Sequence, residues 1–286
     1  MQRWMRKKGA KIVPEFIKSR VRGRLYGYRK SQAKLEFDIL HDETGPVVSI
    51  NNSIRFRISE EDKADFSYHF ITNGASIEEM FGFIQAANSA RTLFDVGAHK
   101  ALFALVFCAI NENNHVVAYE PSPSLSATAK HLSRINGYET RLDLQLSAIG
   151  DASRTVAASV DSTGFISFGN ADESFDKFEV QVTTIDDECK RLGLSPDILK
   201  IDIEGYEYEA LLGASDLLKS RKPVICLELH LDILEQRGID PRLICDQLTK
   251  NGYRFFSCLG QQMSPQEVYG SAYAVLRLIA QPPGAN

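Results

Sequence analysis

From Thr92 onward the chain alternates short apolar runs with helical stretches of roughly 10 to 15 residues, a rhythm that few folds satisfy. Thr92 to Val96 (TLFDV), His115 to Tyr119 (HVVAY), Leu142 to Ile149, Ile198 to Ile203 (ILKIDI) and Val224 to Leu229 (VICLEL) read as strands, with Tyr253 to Leu259 and Tyr273 to Ile279 as two more. Leu102 to Ile110, the stretch ending near Asn136 and Tyr206 to Ser220 read as intervening helices. Asp240-Pro241 starts another, with Pro at the favoured first position and Gly252 suited to the stop. The pattern predicts βαβ units and a parallel sheet. Leu102 to Ile110 is almost wholly apolar, so that helix must be covered on most sides.

Upstream, residues 47 to 58 read as a hairpin turning at Asn51-Asn52, and Ser76 with Glu79 offers a capping box for a helix reaching about residue 88. Residues 154 to 183 break the α/β rhythm. Their β-rich segments with Gly164 and Gly169 predict an antiparallel insertion whose middle, Asn170 to Lys177, is polar loop. The expected division is a basic extension over 1–45, a hairpin and helix over 46–90, and the α/β domain over 91–286.

With 44% hydrophobic residues the chain reads as globular. No apolar run approaches the roughly 18 to 20 residues of a membrane span, and the first residues lack a secretory stretch, so a cytoplasmic protein is expected. The five cysteines form no CxxC pair and read as reduced thiols. Residues 1–34 carry twelve Lys or Arg against Glu15 alone; with the whole chain at −4, the remainder stands at −15. Trp4, Ile12, Val13, Phe16, Ile17, Val21 and Leu25 interrupt these charges. An amphipathic helix on the inner membrane surface and a helix packed on the acidic body both fit that pattern, and the Arg-rich start also resembles a transit peptide.

Ligands of an open parallel sheet sit beyond the carboxyl ends of its strands. This chain places Asp95, Glu120, Asp151, Asp202 with Glu204, and Glu228 with His230 at those ends. In the first loop, Asp95-Val96-Gly97-Ala98 puts an acid where a dinucleotide fingerprint needs its first glycine. An acid there repels pyrophosphate and suits a cationic ligand, S-adenosyl-L-methionine. Glu120, ending the next strand, is placed to accept hydrogen bonds from ribose hydroxyls.

The succession LFDVGAHKALFAL, VVAYEPSP, LSAIGD, TTIDD, ILKIDIEGYEYEALLGA and ICLELH resembles the FkbM-type methyltransferases, class I enzymes acting mainly on hydroxyl oxygens. The resemblance runs from about Ser76 to about Leu259. It implies a Rossmann-like α/β fold with a seven-stranded, mostly parallel sheet in the order 3-2-1-4-5-7-6. It also implies cofactor contacts from Asp95, Gly97, Ala98, His99, Glu120 and Asp202, with Ser147 and Ala148 bordering the adenine. Family members usually read D-x-G-A-N-x-G, whereas this chain has His99 and Ala101 at the Asn and second Gly positions. Ala101 is expected to crowd a close helix–strand approach, and a charged His99 would oppose the cofactor.

Methyl transfer to a hydroxyl needs positioning and removal of a proton. Asp202, Glu204 and His230 are the candidate bases, and the solution pKa of histidine favours His230. Glu204 also reads as a helix cap, and Asp202 and Glu204 with Glu228 as ligands for a hard cation, although no metal is called for. The expected acceptor is a sugar, glycan or other small molecule. Nucleic acid is disfavoured, since the body is acidic and a D/N-P-P-Y segment is absent. A Rossmann-like scaffold that has lost catalysis through His99 and Ala101 is the alternative.

Overall fold

The computed structural model describes residues 33–67, 74–160, 166–168 and 176–284. Residues 1–32, with most of the basic arm, lie outside them, as do Gly164, Gly169 and residues 170–175 of the insertion. Three strands, β1 (Phe37–Asp42), β2 (Gly45–Ile50) and β3 (Ile54–Arg57), form an antiparallel sheet ahead of the α/β unit. Asn51 and Asn52 turn β2 into β3 at φ 51° and 59°, left-handed values that asparagine tolerates. β1 begins inside the stretch assigned to the basic extension; its side chains are half-buried or exposed, which leaves little apolar signal to read.

Next come α1 (Lys63–Ser67) and α2 (Gly74–Ala87). The described helix α2 already includes Ser76, so the expected capping box is not made. Glu79 instead lies buried against Lys200 and Arg277, which offer its carboxylate more than one backbone amide would.

The α/β unit runs β4 (Thr92–Val96), α3 (Leu102–Ile110), β5 (His115–Tyr119), α4 (Pro123–Ile135), β6 (Leu142–Gln145) and β7 (Ala148–Ile149). The insertion follows as β8 (Arg154–Val160), β9 (Ile166–Phe168) and β10 (Asp176–Thr183). Then come α5 (Ile185–Leu192), β11 (Ile198–Ile201), α6 (Glu207–Leu212), α7 (Ser215–Ser220), β12 (Val224–His230), α8 (Leu231–Gln236), α9 (Arg242–Lys250), β13 (Arg254–Ser257), β14 (Gln262–Met263), α10 (Pro265–Tyr269) and β15 (Val275–Gln281). The main sheet has the order β14-β13-β15-β12-β11-β4-β5-β6, one two-residue strand more than the seven expected. β15 is antiparallel to both neighbours, β12 and β13, while the pairs from β12 through β6 are parallel.

Both faces of this sheet are covered, which is why its strands read as unbroken apolar runs. Leu93, Val116, Ile198 and Cys226 point to one layer, shared with Phe83 of α2, Leu105 and Phe107 of α3, and Val48 and Phe56 of the small sheet. Phe94, Val117, Leu199 and Leu227 point to the other, against Leu211, Leu217, Ile244 and Leu248. The small sheet thus helps cover the apolar helix α3. Asn136 clamps it to the end of α4, accepting from the Arg57 amide at 2.6 Å and donating to the Arg57 carbonyl at 2.9 Å.

Leu142 to Ile149 is two strands. After β6 the chain leaves the main sheet, and β7 joins β10 in a second sheet of order β7-β10-β8-β9. Tyr206 to Ser220 is likewise two helices, parted at Gly213, where a Cβ would stand 2.1 Å from the Gly150 carbonyl oxygen. Among the described residues no helix is long and apolar enough to cross a membrane, and the five cysteines are free.

Candidate cofactor and acceptor site

The carboxyl ends of β5, β4, β11 and β12 meet in a cluster of buried charge. Glu120, just after β5, is 6% exposed. Its Oε2 accepts from the His99 amide at 2.8 Å and its Oε1 from the Ser122 amide at 2.8 Å, so it ties together the loops that follow β4 and β5. Burial pushes its pKa up to about 7 against those two donors, with Asp95 and Asp202 adding to the rise.

Asp95 is also buried, opposite Lys200 in the β4–β11 register. Burial raises its carboxyl to about 7, although Lys200 opposes the rise. Its Oδ2 is buried without a hydrogen-bond partner. Lys200 reaches Glu79 at 2.9 Å and Asp202 at 3.5 Å, and Arg277 reaches Glu79 at 2.9 Å and Glu228 at 2.5 Å. Burial pushes Glu228 well above the usual carboxylate range, with Asp202 and Glu79 adding to it. At Asp202 burial is outweighed by Lys200, His230 and Arg277, which hold its pKa low.

A second knot lies beside it. Glu204 and Gly205 take left-handed φ of 52° and 94°, which turns the chain sharply between β11 and α6. His230, at the end of β12, then meets carboxylates on both ring nitrogens: Nδ1 is 2.8 Å from Glu207 Oε1, and Nε2 is 3.3 Å from Glu204 Oε2. Glu228 and Asp202 stand 3.8 and 3.9 Å from Nε2. Burial opposes charge on this ring, but the hydrogen bond to Glu207 and the fields of Asp202, Glu204 and Glu207 raise its pKa to about 10. The solution pKa that favoured His230 as the base does not apply at this position. Glu204, whose side chain is 50% exposed, is the open end of the knot; burial raises its pKa while His230 opposes the rise.

The structure therefore brings Asp95, Glu120, Asp202, Glu204, Glu228 and His230 to one end of the sheet. Asp151 is exposed and paired with Arg154 at 2.7 Å, so it is no part of the cluster. Ser147, between β6 and β7, and Ala148, the first residue of β7, are half-buried, and Ala98 is buried in the β4 loop. Gly97 does serve close approach, but what approaches is protein: a Cβ on it would stand 1.8 Å from the Asp202 carbonyl oxygen. Residues 99 and 101 both take left-handed φ, 51° and 62°. That conformation suits Asn and Gly, so the departure at Ala101 carries conformational strain at a fully buried position.

Sequence reasoning missed Glu79, Arg277 and Glu207. Arg277 did carry a signal, as a lone cation within the apolar run AVLRLIA, and Glu207 was the last acid of KIDIEGYE.

Asp202, Glu228 and His230 each bring one ligand atom within 4.8 Å of the others, with His230 in the place expected of Glu204 in a hard-cation set. Arg277 and Lys200 already pair with two of those acids, which weakens the pull on a metal ion. The carboxyl groups of Glu79, Asp95, Glu120, Asp202, Glu204, Glu207 and Glu228 still outnumber the cations Lys200, Arg277 and His230. This surplus, with the orphaned Asp95 Oδ2, fits a ligand that carries positive charge and hydroxyl donors.

The pattern of the Methyltransferase FkbM domain matches residues 95–255. No curated protein matches the chain. Similar solved structures include Methyltransferase FkbM from Methylobacillus flagellatus, at 17% identity over 68% of this chain and 44% of that one, with a TM-score of 0.45. Precorrin-6y C5,15-methyltransferase from Geobacter metallireducens shares 14% identity over 79% of this chain and 93% of that one, with a TM-score of 0.40. An O-methyltransferase from Bacillus cereus in complex with SAH shares 9% identity over 76% of this chain and 84% of that one, with a TM-score of 0.38. This chain spans less than half the length of the Methylobacillus protein. The domain match covers more than half of the chain, from the first strand-end acid into β13, and the chain belongs to the FkbM methyltransferase family.

Proposed function

We propose that the protein methylates a hydroxyl oxygen of a sugar, glycan or other hydroxylated small molecule, with Glu204 taking the hydroxyl proton. The observation that supports this reading is the half-exposed Glu204 carboxylate, set beside His230 where β11 and β12 end. His230 is almost wholly buried and faces carboxylates from both nitrogens, so Glu204 is the group an incoming acceptor meets. Its raised pKa brings it closer to what a base needs at neutral pH.

When bound, S-adenosylmethionine supplies the electrophilic methyl group. Asp95, Glu120 and Asp202 would hold it, with Gly97, Ala98, His99, Ser147 and Ala148 as further contacts. Asp95 and Asp202 compensate positive charge, and Glu120 keeps lone pairs free for hydroxyl donors beside its two backbone bonds. The insertion, which leaves the main sheet next to β6, would shape the acceptor side. For residues 1–34 the proposed role is docking on an anionic membrane surface; liposome sedimentation with and without them tests it, and equal binding by both forms would refute it.

The test of the chemistry is transfer of labelled methyl groups into panels of sugars, amines and carboxylic acids. Label in alkali-stable ethers is expected, with Glu204→Gln lowering the rate at least about tenfold. Label confined to alkali-labile esters or to amines would overturn the reading.

A further inference from the structure

The stretch KIDIEGYE places two glutamates three residues apart around a sharp turn, and the structure shows what that spacing accomplishes. Glu204 and Gly205 are both left-handed, and a Cβ on Gly205 would stand 2.4 Å from Ile233 Cγ2, so the turn is pressed against α8. It delivers Glu204 to one side of the His230 ring and Glu207 to the other. The Glu207 side chain is 0% exposed, and its Oε1 also accepts the Gly205 amide at 2.8 Å. A carboxylate so placed is held by the turn itself.

The ring's protonation follows from its neighbours. Nδ1 must carry a proton to donate to Glu207. If Nε2 then presented a lone pair, it would face Glu204, Glu228 and Asp202 at 3.3, 3.8 and 3.9 Å. Three carboxyl groups against a lone pair is unfavourable, whereas an N–H there is favoured. Lys200 and Arg277 are engaged with Glu79, Asp202 and Glu228 and leave Glu204 and Glu207 to the ring.

We infer that Glu207 is a positioning residue: it holds His230 as a doubly protonated imidazolium whose Nε2–H fixes one oxygen of Glu204 and leaves the other for the acceptor's proton. The inference rests on Glu204 being the proton acceptor proposed above. In the transfer, the acceptor oxygen would gain the methyl group as the bond from that methyl to the cofactor's sulfur breaks, and its proton would move to Glu204; His230 keeps both ring protons throughout, and Glu207 stays the carboxylate that accepts from Nδ1–H.

Nitrogen-15 NMR of the imidazole groups in the full chain tests this without any acceptor. The His230 ring is expected to stay doubly protonated past neutral pH in the wild type and to titrate at lower pH in Glu207→Gln. In the same variant kcat should fall at least about tenfold while cofactor affinity changes by less than about threefold. If Glu207→Gln does not fold, Glu204→Gln removes the other carboxylate and should lower the ring's titration as well. A neutral His230 ring at pH 7, or a titration that neither variant moves, would overturn the inference. A doubly protonated ring in a protein that methylates no hydroxyl would leave the ring's state standing and fail the acceptor assignment alone.

Discussion

A Cβ on Gly97 would stand 1.8 Å from the carbonyl oxygen of Asp202 and 2.9 Å from Cγ2 of Ile203. The first loop therefore lies directly on the backbone that leaves β11, and the Asp202 amide donates to the Val96 carbonyl at 3.0 Å. The left-handed φ of 81° adds a second reason for glycine. Gly97→Ala must push the two strand ends apart, and a loss of at least about 3 kcal/mol is expected. Urea denaturation measures it. A midpoint like that of the wild type would show that the contact can relax at little cost.

His99 tests the same loop in the opposite direction. Its side chain is exposed while its φ is 51°, and histidine holds left-handed geometry less readily than asparagine. His99→Asn should raise stability by up to about 1 kcal/mol, read from thermal unfolding. Ala101→Gly should gain less. The methyl of Ala101 is fully buried, so relief of its φ of 62° is offset by lost packing of about 0.8 kcal/mol. If both variants are destabilised, the family's usual residues are not what this loop needs.

The parallel core was legible because β4, β5, β11 and β12 are buried on both faces, which writes them as unbroken apolar runs. The strand-end acids were legible for the same reason: Asp95 and Glu120 stand at the ends of runs with no other charge. What eluded the sequence were pairings between distant segments. Nothing local says that Glu79 will meet Arg277, nearly two hundred residues on, so the capping-box pattern around Ser76 was the stronger local signal and gave the wrong role. β1 was hidden by its exposure. The protonation of His230 was unreadable because four surrounding acids, Asp202, Glu204, Glu207 and Glu228, come from three elements and outweigh the ring's solution pKa only once folded.

Asp95 and Glu120 both have pKa values raised to about 7, so each is part-protonated at neutral pH before a ligand binds. A ligand carrying positive charge favours their ionised forms and lowers both values. Binding of S-adenosylmethionine should therefore release protons near pH 7, and affinity should rise between about pH 6 and pH 8 before levelling. Calorimetry in buffers of different ionisation enthalpy counts the protons. S-adenosylhomocysteine, without the sulfonium charge, should release fewer. Proton uptake on binding, or tighter binding at the acid end, would contradict placing these acids around the cofactor.

Lys200 is 1% exposed and stands between Glu79 and Asp202 beneath the ring of Phe103, whose centroid lies 4.8 Å from Nζ. Lys200→Met keeps much of the volume and removes the charge, leaving Glu79, Asp95 and Asp202 without their shared cation. A loss of about 3 to 5 kcal/mol at neutral pH is expected. Adding Glu79→Gln to it should cost less than the same change in the wild type, with a coupling of about 1 to 3 kcal/mol. The pH dependence has a definite sign. Asp95 already binds its proton more tightly in the folded chain than in the unfolded one, where its pKa is near 4. Its ionisation therefore costs stability as pH rises from the unfolded value through about 7, and losing Lys200 enlarges that cost. The deficit of Lys200→Met relative to the wild type should shrink as the solution is acidified from pH 8 toward about pH 5. Denaturation curves at several pH values decide it: a deficit independent of pH would mean that Lys200 acts through packing, whatever its distance from the acids.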